Sequence, residues 1–191
     1  MKQLDSGCKG NYYRQQQLTL AWATSANVSS ALPVNKTAAA VAGHSMGGQA
    51  SLFNAADYEG GVGKHHIKAA ALHHAFTHTF PAYSIPTLTF TGTLDDVATP
   101  ASAKQIFDTP GGTPIRGLVN KKGADHHEPS THYNPQLALY TVAWFKLYVD
   151  GTPQSQGRDW DALIHGSGTD SICGGGDGKR KECSILGGTP S

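Results

Sequence analysis

A serine, a carboxylate and a histidine placed so that each reaches the next turn an ordinary hydroxyl into a nucleophile: the histidine takes its proton, and the carboxylate fixes the histidine tautomer. This chain offers that set in the order Ser45, then Asp95 or Asp96, then His126 or His127. Ser45 sits in Gly43-His44-Ser45-Met46-Gly47, after the apolar run 37–41 and before the small-residue stretch 48–56. That pattern reads as strand, tight turn and helix with the serine at the apex. The first-turn N–H groups and positive dipole end of the helix then face the place where an oxyanion would form. Glycine is expected at both 43 and 47, because side chains two residues either side of the serine would collide with neighbouring backbone. The carboxylates lie in Gly92-Thr93-Leu94-Asp95-Asp96-Val97-Ala98-Thr99-Pro100 and the histidines in Gly123-Ala124-Asp125-His126-His127-Glu128-Pro129. Asp96 stands four residues before Pro100, which opens the next helix, and is the expected acid; Asp95 is then a solvated loop carboxylate. The Gly-x-x-His spacing picks His126 as the base and leaves His127 at the rim.

These residues need strand ends to hold them. Short apolar or β-branched runs bounded by turn signals predict strands over 36–42, 67–72, 87–91 and 115–120. Helices are predicted over 11–25, 46–58, 100–107 and 134–149, the third opening on Pro100 as a helical first turn allows. The first carries apolar Tyr13, Leu18, Leu20 and Trp22 in a glutamine-rich setting. Strands alternating with helices mean a mainly parallel sheet of about four strands with right-handed crossovers. In such sheets ligands bind off the carboxyl ends of the strands, which is where Ser45, Asp96 and His126 fall. Residues 1–150 are expected as the catalytic domain. Residues 151–191 shift to Gly, Ser, Asp and Lys and are expected as a loop-rich C-terminal tail.

The bulk properties limit partners. A chain of 191 residues is one domain with a real core, and a net charge of +1 gives no electrostatic case for nucleic acid or an anionic membrane. No apolar run approaches the roughly 18 residues of a spanning helix, and residues 1–7 carry no apolar signal-peptide core. Cys173 and Cys183 flank a Gly-rich loop and either close a disulfide or stay free thiols, with Cys8 left over. A bridge would favour secretion or another oxidising compartment, where the sequons at Asn27 and Asn35 would matter.

The stretches Gly43-His44-Ser45-Met46-Gly47-Gly48, Ala69-Ala70-Ala71, Pro86-Thr87-Leu88-Thr89-Phe90-Thr91-Gly92, Gly123-Ala124-Asp125-His126 and Val142-Ala143-Trp144-Phe145-Lys146 resemble the dienelactone-hydrolase-related α/β-hydrolases. Among these the chain is most similar to cutinase-like polyester hydrolases and lipases, with chlorophyllases nearby, over about residues 14–150. The chain order Ser, Asp, His is that of the superfamily. The resemblance implies Ser45 as nucleophile, Asp96 as acid and His126 as base, with the Met46 N–H as half of the oxyanion hole. It places Phe76 where polyester hydrolases pack an aromatic on the acyl group, adds His44 as a substrate contact, and implies the Cys173–Cys183 disulfide. No cofactor is implied.

One departure bears on efficiency. In the family four strands, and the loop after the third, precede the elbow; here 44 residues precede Ser45. The second oxyanion N–H comes from that loop, and losing one such donor costs about 2.7–4 kcal/mol. The strand at 37–41 would also be an apolar sheet edge, which invites pairing. Two readings follow: a piece of a longer protein, or a minimal hydrolase that covers its edge, for instance as a homodimer. The ten histidines raise a zinc alternative with Asp125 or Glu128, but their spacing matches no standard ligand pattern, so metal is not expected and most are read as surface residues. The sequence therefore predicts a truncated α/β-hydrolase fold and a serine esterase acting on a small or polymeric ester. A catalytically weak homologue that binds esters or a partner is the alternative.

Overall fold

The computed structural model describes residues 12–131, 134–174 and 180–188. Its helices are α1 (Tyr12–Ala23), α2 (Ala26–Ser29), α3 (Met46–Ala55), α4 (Gly61–His65), α5 (Pro100–Phe107), α6 (Glu128–Thr131), α7 (Pro135–Tyr148) and α8 (Trp160–His165). Its strands are β1 (Ala39–His44), β2 (Ile67–His73), β3 (Thr87–Gly92), β4 (Arg116–Lys121), the short pair β5 (Gln154–Ser155) and β6 (Arg158–Asp159), and β7 (Arg180–Leu186). The main sheet runs β1-β2-β3-β4-β7, with the first four strands parallel and β7 antiparallel to β4. This is the α/β arrangement the sequence predicts, with one strand more.

Why the central strands are apolar throughout follows from what covers them. Leu72, Ala70 and Val41 face one side, where they pack with Leu52 and Phe53 of α3 and Tyr13 of α1. The alternate residues Ala69, Leu88, Phe90 and Val119 face the other, against Trp144, Ala143 and Leu147 of α7 and Trp160 and Ile164 of α8. A strand buried on both faces shows no alternation, hence the continuous runs at 67–73 and 87–92.

The tail is more than loop. Arg180–Leu186 pairs with β4 across the register Val119↔Cys183, and the disulfide Cys173–Cys183 ties it to the turn after α8. That edge is closed by a strand of mixed polarity. At the opposite edge β1 pairs only with β2 among the described residues. Its Ala42 is exposed and, with Val142 and Thr141 of α7, lines an open groove of about 460 Å³.

α1 corrects the stripe expected of it. Tyr13 and Gln17 are buried, while Leu18 and Trp22 are exposed. Polar contacts dock the helix: Gln17 donates to Asn54 Oδ1 at 2.8 Å, and Gln16 donates to Ser51 Oγ at 2.9 Å and to the β1 carbonyl of Ala42 at 3.3 Å. The leftover Cys8 lies outside the described residues.

Candidate active site

Ser45 follows β1 with φ 55° and ψ −120°, a conformation that side-chain-bearing residues seldom adopt. Backbone bonds on both sides hold it there. Its N–H donates to His73 O at 3.1 Å, and its carbonyl accepts from the Gln49 and Phe76 N–H groups at 3.1 and 3.0 Å. The turn closes so tightly that a Cβ on Gly43 would lie 2.2 Å from Gly47 O, as the sequence predicts. The expectation for Gly47 is corrected: a Cβ there meets nothing within 4 Å, and the second obligatory glycine is Gly48, where a Cβ would sit 2.8 Å from Ala75. Since Gln49 makes the first bond of α3 back to Ser45, the N–H groups of Met46, Gly47 and Gly48 lie ahead of the intrahelical ladder.

His126 completes a relay. Its Nε2 is 2.9 Å from Ser45 Oγ and its Nδ1 is 3.1 Å from Asp95 Oδ2. The carboxylate that meets the histidine is thus Asp95, and the choice of Asp96 is corrected: Asp96 is exposed, whereas Asp95 is buried. The reason is where the loop turns. Asp95 N–H closes a turn on Gly92 O at 3.0 Å, and Asp95 Oδ1 accepts the N–H groups of Val97 and Ala98 at 3.0 and 2.7 Å. Those bonds hold the carboxylate beneath the loop and aim Oδ2 at the histidine. Burial alone would raise the Asp95 pKa, but the hydrogen bonds from His74, the Ala98 N–H and His126 outweigh it and hold the carboxyl below its usual range.

His74 is the residue that spacing does not reveal. It is buried, and its Nδ1 lies 2.7 Å from the same Asp95 Oδ2. Burial lowers its pKa, with Asp95 opposing, and burial lowers that of neighbouring His73 to about 4. Neither is the surface histidine the sequence suggests. His74, Asp95 and His126 are also the group, among the described residues, whose ligand atoms lie within 4.8 Å of one another and so could hold a metal. As placed, both Nδ1 atoms point at one carboxylate oxygen, which is the geometry of shared protons. His65 is half-buried, and His66, His78 and exposed His127 lie at the surface.

The remaining expected residues fall beside the relay. His44 Nε2 donates to the His126 carbonyl at 2.7 Å, and its ring lies 4.9 Å from that of His126, so it props the loop that carries His126. Phe76 is half-buried next to the elbow, edge-on to His78 at 5.2 Å. Met46, Leu94 and Val97 expose apolar side chains, and the last two flank Asp95 in one loop.

Comparison with known families gives a match over residues 8–156 to a family described as PET hydrolase-like. No curated protein matches the chain. Among the described residues no helix is long and apolar enough to cross a membrane.

Proposed function

This chain belongs to the PET hydrolase-like family, and from that premise we propose that it is a serine carboxylic-ester hydrolase working through Ser45, His126 and Asp95. The observation that carries this reading is the 2.9 Å contact between Ser45 Oγ and His126 Nε2, with Asp95 on the far nitrogen. An ionised Asp95 only accepts hydrogen bonds, so it keeps the His126 proton on Nδ1 and leaves the Nε2 lone pair facing Ser45. His126 takes the Ser45 proton as Oγ bonds to the ester carbonyl carbon, and the carbonyl oxygen becomes an oxyanion facing the Met46 N–H. The imidazolium then gives its proton to the departing alcohol, leaving the acyl-enzyme. Water, deprotonated by His126, attacks the acyl carbon; the acid leaves and Ser45 regains its proton.

A polyester is the favoured substrate class. The family name points that way, and exposed Leu94 and Val97 beside Asp95, with Phe76 at the elbow, offer an open apolar rim on which a polymer segment can lie. Hydrolysis of a short p-nitrophenyl ester and of a polyester film should both fall at least ~10⁴-fold in Ser45→Ala. Equal rates in wild type and variant would sink the assignment.

A further inference from the structure

We propose that His74 is a positioning residue of this site, holding Asp95 by the same carboxylate oxygen that receives His126. The inference deepens the hydrolase reading and rests on it. Asp95 accepts four hydrogen bonds: Val97 and Ala98 N–H on Oδ1, His74 and His126 on Oδ2. That fills the four acceptor positions of a carboxylate. The His74 contact, 2.7 Å, is shorter than the 3.1 Å contact of His126. With the backbone pair on the other oxygen, it fixes the carboxylate plane on which the orientation of His126 depends.

The fold builds His74 into place. It follows β2 directly with φ 48°, a left-handed conformation that bulky residues avoid, and its N–H donates to Phe90 O at 2.9 Å. The imidazole thereby enters the sheet-end layer under the loop after β3. An ionised carboxylate cannot donate, so the proton of this bond sits on His74 Nδ1.

Among the described residues no other carboxylate lies within hydrogen-bond distance of His74. The rings of His44 and His126 lie 6.3 Å away, and His73 precedes it in the chain. Behind His74 a cavity of about 30 Å³ is lined by Lys121, Glu128, Tyr140 and Arg180, with Lys121 paired to Glu128.

The test compares His74→Ala, which removes the donor, with His74→Asn. The asparagine Nδ2–H stands where Nδ1–H does, and asparagine tolerates a positive φ. Across pH 5–9, with a soluble p-nitrophenyl ester, His74→Ala should lose about 10- to 100-fold in kcat with little change in KM. His74→Asn should recover that loss. An unchanged kcat in His74→Ala, a loss that appears mainly in KM, or an asparagine variant as impaired as alanine, overturns the proposal. Should His74→Ala not fold, ¹⁵N-histidine NMR of the wild-type protein decides: a proton on His74 Nδ1 supports the positioning role, and one on Nε2 refutes it. That readout needs no activity, so a failure of positioning is distinguishable from a failure of the hydrolase assignment, which Ser45→Ala tests.

Discussion

The loops that leave β3 and β4 follow one plan and deliver the two residues proposed to act with Ser45. In each, a glycine is followed three residues later by that residue: Gly92 by Asp95, Gly123 by His126. They are tied side by side, Thr93 N–H to Lys121 O at 3.0 Å, Leu94 N–H to Ala124 O at 2.9 Å, and Gly123 N–H to Thr93 Oγ1 at 2.9 Å. The two glycines are needed for different reasons. A Cβ on Gly92 would lie 2.2 Å from Ala124 O, whereas Gly123 has open space but a φ of +79°. One glycine lets the loops touch; the other lets its loop turn. Each side chain is placed by its distance from the glycine of its turn, three residues in both loops, although Asp95 stands three and His126 five residues past the end of its strand. The following helix floats on what remains.

The largest effect should separate the neighbours within each loop. Asp95→Asn should lower kcat about 10⁴-fold on a p-nitrophenyl ester, since a neutral amide no longer fixes the histidine tautomer. A full-rate Asp95→Asn enzyme would break the parallel between the loops. Next come the glycines, read by thermal unfolding. Gly92→Ala should cost about 1–3 kcal/mol by forcing the paired loops apart, and Gly123→Ala about 1 kcal/mol from its left-handed backbone. Equal costs, or the reverse order, would contradict the assigned reasons.

Acid should weaken the fold through the histidines at the end of β2. His73 is held down to about 4 by burial, and burial lowers His74 as well. Both stay neutral in the folded chain while the unfolded chain binds protons near 6.5, so stability is full above that value and declines as the pH falls toward 4. Asp95, held below its usual range, adds a further loss as pH falls through its folded pKa. Urea unfolding midpoints from pH 7 to 4 should drop, and less steeply in His73→Gln. A flat profile would contradict the burial of these rings. The smallest effects belong to the exposed neighbours: Asp96→Asn and His127→Gln should each keep kcat/KM within about 2-fold.

Much of this was legible in the sequence. The four parallel strands, α5 at its observed bounds and the elbow at Ser45 follow from apolar runs, a helix-opening proline and glycine spacing. Counting back from Pro100 points to Asp96, while the Gly-x-x spacing that points to His126 also points to Asp95, the carboxylate that meets it. Arg180–Leu186 gave no strand signal, since an edge strand keeps polar residues and its partner β4 is remote in sequence. α1 hid its inward face because Gln16 and Gln17, not Leu18 or Trp22, make the docking contacts. His74 could not be found at all from spacing: its meaning lies in a left-handed turn after β2 that brings it to a carboxylate 21 residues away.

Reaction with a p-nitrophenyl alkylphosphonate, followed by peptide mapping, reads the proposed activation of Ser45 by His126 at the reacting atom itself. One adduct per chain is expected, on Ser45, formed at least ~10³-fold more slowly in His126→Gln. Adduct formation elsewhere, or ester turnover that continues with Ser45 unlabelled, would overturn the assignment of Ser45 as nucleophile.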